Sequence, residues 1–338
     1  MIGYYVHHHG HGHLHRAQAI ATHLSGEVTG ISSLPAPHGW PGPWLRLDRD
    51  DYSPESSAQQ DPSASGRLHW VPRHDPGLRS RMAAIAQWLD RTAPELVVVD
   101  VSVEVVLLVR LHGIPVVSLA VPGIRGDAAH RLGYDVSDAI IGAWPTSARH
   151  GSVTGLDEDT LRRIRAVGAI SRFPVADRTR TRPRTVTALF GSGGNDFPRT
   201  WLERAQTCAP DWSWTVLGGP GGWDTDPWPA LVSATVVVTH AGQNALAEVA
   251  AARRPAVVVP QRRPHNEQDT TADVLAASAH WPVEVLRRDQ EPDWPALLDR
   301  VAGLDGARWS RWCDGRAAER AARVIEEIRR SEAAGSAR

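Results

Sequence analysis

The chain contains no lysine, so all 37 of its Lys-plus-Arg positions are Arg. That absence excludes a Walker-type phosphate loop, a pyridoxal Schiff base and any lysine nucleophile, each of which depends on the ε-amine. Cysteine is nearly as scarce: Cys208 and Cys313 are the only 2 among 338 residues. Two thiols cannot build a disulfide framework, and their number fits a reducing compartment. Net charge is also missing, at a formal −1, which argues against a nucleic-acid partner, whose binder would show a basic balance or stripe. No long hydrophobic run is present. The longest, residues 96–109, is broken by Asp100 and Glu104 and is too short to span a bilayer. The first residues are rich in His and Gly and lack the apolar region of a signal peptide, so a cytoplasmic chain is expected, with membrane association left open but not indicated.

What is present is an α/β pattern long enough for two domains. Short apolar runs alternate with longer amphipathic stretches, which predicts βαβ units and parallel sheets. A strand is expected at 1–6, followed by a helix with Leu14, Ala17, Ile20, Ala21 and Leu24 on one face. A buried strand at 96–99, a helix at 102–111 and a strand at 114–121 follow. Residues 35–76, dense in Pro, Gly, Ser and Asp, read as long loops around at most one weak strand, an acceptor-side insertion. Residues 176–184 have no apolar periodicity and read as a linker. The pattern then restarts with strands at 186–190, 214–217, 235–238 and 256–259, and with a helix near Pro198, a good first-turn residue. The expected layout is an N-terminal domain at 1–175, the linker, a C-terminal domain at 185–306, and a helix at 307–330 packing back on the N-terminal domain.

Three constellations carry chemistry. The first is Gly10-His11-Gly12-His13 between a strand and a helix. Glycines there allow a tight turn, and the helix N-terminus offers free N–H groups toward a ligand. A His at that turn faces the crevice beyond the carboxyl ends of the strands, where ligands of open α/β sheets bind. Histidine is suited to general-base work at neutral pH, so His13 is the candidate catalytic residue. His11, Gly12 and Asp100, which ends its strand, are assigned to the acceptor side. The alternation of His7, His9, His11, His13 and His15 also admits a metal cluster, but metal sites need convergent ligands, and the expectation is no metal and no cofactor.

The second constellation is Phe190-Gly191-Ser192-Gly193-Gly194-Asn195, a glycine turn able to wrap a phosphate in N–H groups, with the Ser192 hydroxyl and Gly193 in contact. The Rossmann glycine spacing is absent, which excludes a nicotinamide site. The third is the longest: Thr239-His240-Ala241-Gly242-Gln243-Asn244-Ala245-Leu246-Ala247-Glu248, then a strand, then His265-Asn266-Glu267-Gln268. Gly242, Gln243 and Asn244 form a tight turn into a helix. Glu248 lies about one turn further, where its carboxylate can accept both ribose hydroxyls. Glu267 and Gln268 open another helix whose N-terminus suits sugar hydroxyls or phosphate.

These residues give the chain a resemblance. Residues 239–268 and the His13 turn resemble the MurG-like glycosyltransferases, which add N-acetylglucosamine from its uridine diphosphate donor. The resemblance implies the GT-B fold: two Rossmann-like α/β domains whose parallel sheets face each other across a cleft. It also implies inverting, metal-independent transfer from a nucleotide-sugar donor. On that resemblance Ser192 contacts the diphosphate, Glu248 the ribose, and Gln268 the donor sugar and phosphates. Arg172, in Gly168-Ala169-Ile170-Ser171-Arg172, takes the place of an arginine that ends a Gly-Asn-Pro-x-Arg segment, although the Asn-Pro is missing. His11 stands where the family usually has glycine, narrowing the space. The apolar and basic patch used for lipid-linked acceptors is not evident.

The partners expected are therefore a nucleotide-sugar donor and an unidentified acceptor, whether a lipid-linked sugar, a natural product or a glycan. Two other readings share the fold: a nucleotide-sugar 2-epimerase acting without acceptor, and a non-enzymatic nucleotide-sugar-binding protein. A glycosidase using Asp100 and Glu104 is the remaining alternative. Asp48-Arg49-Asp50 and Asp224-Thr225-Asp226 match the carboxylate motif of metal-dependent transferases only superficially.

Overall fold

The computed structural model describes residues 1–51, 61–177, 181–191, 199–219 and 226–336. Among these described residues the N-terminal sheet has seven strands, all parallel, in the order β3-β2-β1-β4-β5-β7-β9. These are β1 (Ile2–Tyr5), β2 (Val28–Ser32), β3 (Trp44–Arg46), β4 (Leu96–Asp100), β5 (Val116–Ala120), β7 (Ala139–Gly142) and β9 (Ile164–Ala166). Between them, β6 (Gly123–Ile124) and β8 (Val153–Thr154) form a separate parallel pair. The C-terminal sheet has five parallel strands in the order β11-β10-β12-β13-β14: β10 (Thr185–Leu189), β11 (Ser213–Leu217), β12 (Val236–Thr239), β13 (Ala256–Val258) and β14 (Val283–Val285).

Both sheets are covered by helices on their two faces, as parallel sheets require. This explains why β4 (Leu-Val-Val-Val-Asp) is buried at every position instead of alternating. One edge strand, β3, is short and half-buried; it is the weak strand expected inside 35–76. The two domains share apolar packing, because Ile140 and Trp144 belong to the same core as Leu246 and Ala272.

The expected helix over 307–330 is split in the structure. A 3-10 turn at Gly306–Arg311 comes first, and the helix proper runs Ala317–Ser336. The break has a physical cause: Trp309 is anchored in the C-terminal domain, donating from Nε1 to the Arg254 carbonyl at 2.7 Å. Ala317, Ala321, Ala322 and Ile325 instead pack with Leu14, Ala17 and Ile20 of the first domain. Gly315, at φ +83°, turns the chain between the two anchors.

Candidate active site

The carboxyl ends of β1 and β4 deliver the centre of the site. After β1 the chain turns at Gly10 (φ +78°) into the helix Gly12–Ala21, which puts His13 and Arg16 on one face three residues apart. After β4, Val101 takes φ +78°, which is unusual for a β-branched residue and marks a constrained bend beside Asp100. Asp100 is fully buried. Its Oδ1 lies 3.1 Å from His13 Nδ1 and accepts from Arg16 Nη2 at 2.6 Å, while Oδ2 accepts from Arg16 Nε at 3.3 Å. Burial alone would raise this carboxyl, but Arg16 and His13 hold it at about 2. His13 Nδ1 also lies 3.1 Å from Arg16 Nη2, so Asp100 and Arg16 compete for it; in the form in which the ionised Asp100 accepts from Nδ1–H, Nε2 is the basic atom.

Arg16 also reaches across to the second domain, where its Nη1 donates to Gln243 Oε1 at 2.9 Å. Gln243 opens the helix Gln243–Ala251, so the two helix N-termini meet here. Their approach is close: a Cβ at Gly12 would lie 2.1 Å from Asn244 Nδ2. Gly242 has a similar constraint, since a Cβ there would meet the His240 ring at 2.4 Å. The Gly242 N–H donates to His240 Nδ1 at 2.9 Å, and burial, helped by Arg263, lowers His240 to about 4. His240 is thus a neutral wall between Gly191 and Gly242.

Glu248 and Arg172 meet further along the same helix. Arg172 Nε donates to Glu248 Oε1 at 2.8 Å, and the guanidinium lies 4.5 Å from the centre of the Phe173 ring, which stacks on Trp228 at 4.8 Å. Burial raises the Glu248 carboxyl, and Arg172 opposes that rise. Gln268 is buried, and its Oε1 accepts from the Gln261 N–H at 2.9 Å, holding the loop after β13. Glu267 begins the helix Glu267–Ala276.

One cavity of ≈ 710 Å³ runs between the domains and is lined by His11, Gly12, His13, Arg172, Gly242, Gln243, Asn244, Glu248, Glu267 and Gln268. The structure therefore brings the described candidate residues of both halves of the sequence to one cleft. Asp100 stands apart, since it lies beneath His13 and Arg16 and reaches the cleft only through them. Ser192 and Gly193 lie outside the described residues, as do Asp224 and Thr225.

Several carboxylates singled out in the sequence are already engaged. Glu104 Oε1 accepts from the backbone N–H groups of His69 and Trp70 at 2.8 and 3.1 Å, so the Asp100–Glu104 pair has no arrangement for paired-carboxylate hydrolysis. Asp48 accepts from Ser80 Oγ at 2.6 Å, and Asp50 pairs with the buried Arg81 at 2.7 Å. Of the alternating His run, only His9 enters a metal-capable group among the described residues, with His8 and Asp51; His7, His11, His13 and His15 enter none. Burial pushes His7 well below the ordinary imidazole range, and burial together with Arg172 lowers His15 to about 4. Arg16 was missed in the sequence, although its position one turn after His13 was the available signal.

Comparison with known proteins agrees with this geometry. The glycosyltransferase family 28 C-terminal domain matches residues 226–282. A comparison with curated proteins found no match. Among solved structures, the glycotransferase of kitacinnamycin is similar with a TM-score of 0.69 at 16% identity, covering 97% of this chain and 98% of that one. MurG of Acinetobacter baumannii has a TM-score of 0.59 at 14% identity, covering 96% and 99%. UGT71G1 of Medicago truncatula, complexed with UDP-glucose, has a TM-score of 0.64 at 13% identity, covering 97% and 98%. At these identities the structural likeness is one of fold. The two-domain parallel architecture is the GT-B fold of these glycosyltransferases, and residues 226–282 match the C-terminal domain of glycosyltransferase family 28.

Proposed function

We propose that this protein transfers a sugar from a nucleotide diphosphate donor, of the UDP class, to an acceptor hydroxyl with inversion at the anomeric carbon. The observation that carries the reading is the His13–Asp100 pair at 3.1 Å, set at the mouth of the interdomain cleft. His13 Nε2 takes the acceptor proton as the hydroxyl oxygen attacks the anomeric carbon. Asp100 stabilises the imidazolium that forms, and such a base contributes about 100- to 10,000-fold in rate.

The leaving diphosphate needs positive charge and N–H donors. Arg172 and the N-termini of the helices Gln243–Ala251 and Glu267–Ala276 supply them from the cleft wall, so the chemistry of departure needs no metal. Glu248, whose Oε1 is taken by Arg172, offers Oε2 to the ribose hydroxyls. A structure of the same fold holding UDP-glucose supports a donor of this chemistry. Among the described residues no helix is long and apolar enough to cross a membrane.

The test is incubation of the chain with UDP-sugars, alone and with a panel of hydroxylated acceptors, followed by ¹H NMR. The reading predicts glycoside formation with inverted anomeric configuration and no epimer from donor alone. An epimerised donor in the absence of acceptor, or binding with no turnover on any acceptor, would overturn it.

A further inference from the structure

Away from the His13–Asp100 pair, the cleft holds a second group of ligating side chains. His69, Asp127, His130 and His265 each offer one ligand atom, and these atoms all lie within 4.8 Å of one another. Three belong to the acceptor-side domain: Asp127 is the N-cap of the helix Ala128–Asp135, His130 lies in its first turn, and His69 precedes the helix Pro76–Thr92. His265 comes from the other domain, two residues before Glu267. The loop that carries it is bent at two successive left-handed residues, His265 (φ +57°) and Asn266 (φ +54°). It is also pressed onto the first domain, because a Cβ at Gly123 would lie 2.5 Å from the His265 carbonyl oxygen.

Asp127 is the hub. Its Oδ1 is 3.3 Å from His69 Nε2, and its Oδ2 is 2.5 Å from His130 Nδ1 and 3.7 Å from His265 Nδ1. The role of His130 follows from its other nitrogen. Nε2 faces Arg125 Nη1 at 3.1 Å, and that guanidinium also donates to the Val121 and Pro122 carbonyls. Arg125 has only donors, so Nε2 is an acceptor, and Nδ1 carries the hydrogen that goes to Asp127. This leaves two imidazole nitrogens and one carboxylate. The separations of 3.3 Å to Oδ1 and 3.7 Å to Oδ2 run to different oxygens of the carboxylate, and each is close to the about 3.3–3.6 Å between neighbouring ligand atoms on one ion with bonds of about 2.0–2.2 Å. Among the described residues no arginine pairs with Asp127. In the other candidate group, His8, His9 and Asp51, the carboxylate is gripped by Arg49 at 2.8 and 2.5 Å.

We propose that His69 Nε2, Asp127 and His265 Nδ1 bind one divalent ion of the zinc class, with His130 orienting Asp127 from outside. Two nitrogens and one oxygen suit a borderline-soft ion better than magnesium or calcium, which take oxygen ligands. A carboxylate held by an outer imidazole is the usual support of such a site. The fourth position opens to the cleft, which His69 and His265 line. Since the ligands come from both domains, the ion clamps the loop leading to Glu267 and Gln268 against the acceptor side. Its place is in closure of the cleft, separate from the proton transfer at His13.

The experiment is titration of the tag-free full chain with Co²⁺, read by the visible absorption that cobalt gains in a tetrahedral or five-coordinate protein site, with Zn²⁺ as competitor. The proposal predicts a band saturating at one ion per chain and displaced by Zn²⁺. The band is lost in His265→Ala and in Asp127→Asn, a change that keeps a good helix cap, and it survives in His9→Ala. Zn²⁺ should also raise the melting temperature of the unaltered chain and leave that of Asp127→Asn unmoved, which separates loss of the site from loss of folding. No band, a band that survives His265→Ala and Asp127→Asn, or one abolished by His9→Ala would overturn the proposal. The readout is metal binding, so it stands or falls independently of sugar transfer.

Discussion

Replacing Asp100 with Asn probes the central pair most sharply, because the side chain keeps its shape and loses its charge. In the native protein this carboxyl is held at about 2, against an ordinary value of 3.8. A depressed carboxyl contributes stability that is present above its unfolded value and lost as pH falls through its folded value. The contribution is about 2 kcal/mol at neutral pH, fading between about pH 4 and pH 2. In Asp100→Asn it is gone, and the amide NH₂ must also face either Arg16 Nε or the Arg16–His13 side, a buried donor against a donor that costs about 1–3 kcal/mol. Urea unfolding followed by tryptophan fluorescence should therefore show a deficit of about 3–5 kcal/mol at pH 7 that narrows as pH falls toward 2. Transfer should drop by about 100- to 10,000-fold, because the imidazolium at His13 loses its counter-charge. Donor affinity should change little, since Asp100 does not reach the cleft. A variant within threefold of the native rate, or with a stability deficit that does not change with pH, would refute the reasoning.

Two further substitutions probe the donor side. Glu248→Gln removes the charge that faces Arg172 at 2.8 Å and the proposed ribose acceptor, so donor affinity by calorimetry should fall by about 10- to 100-fold, the worth of a charged hydrogen bond; unchanged affinity would remove Glu248 from the ribose. Gly12→Ala places a methyl group 2.1 Å from Asn244 Nδ2, so the Asn244 side chain must swing out of the cleft. Donor affinity should fall about tenfold, the loss of one hydrogen bond of about 1.4 kcal/mol, and Gly12→Ala with Asn244→Gly should show no loss beyond that of Asn244→Gly alone. Additive losses would mean that Gly12 acts through something other than this contact.

Much of the fold was legible because its signals are local. The Val-rich runs of β4 and β12, buried along their whole length, could only be central strands of a covered parallel sheet. The break at Gly315 was hidden because Ala and Arg on both sides of it continue a helical pattern, and only tertiary anchoring of Trp309 and Ala317 to different domains ends the helix. The helix Pro76–Thr92 had a readable start, with Asp75 capping the Leu78 N–H and Pro76 in the first turn, but it abuts a segment whose composition announces loop. Of the site, the donor-side turn and His13 were readable as residue types at strand-to-helix junctions. Their pairing was not, although Asp100 and Gln243 were themselves candidates: Asp100 lies 87 residues from His13 and Gln243 lies 227 from Arg16. Such pairs exist only through the sheet order and the docking of two domains, which no local pattern encodes. The His69–Asp127–His265 group was unreadable for the same reason, while of the conspicuous alternating His run only His9 enters a metal-capable group among the described residues.

The most direct measurement is a comparison of the native chain with His13→Ala, using isothermal calorimetry for UDP-sugar binding and ¹H NMR for transfer to an accepted hydroxyl compound. The account predicts that His13→Ala binds the donor within about threefold of the native affinity, less than the about 1.4 kcal/mol of a tenfold change, while transfer falls by about 100-fold or more. Transfer that persists near the native rate, or donor binding that disappears together with it, would contradict the assignment of His13 as the base.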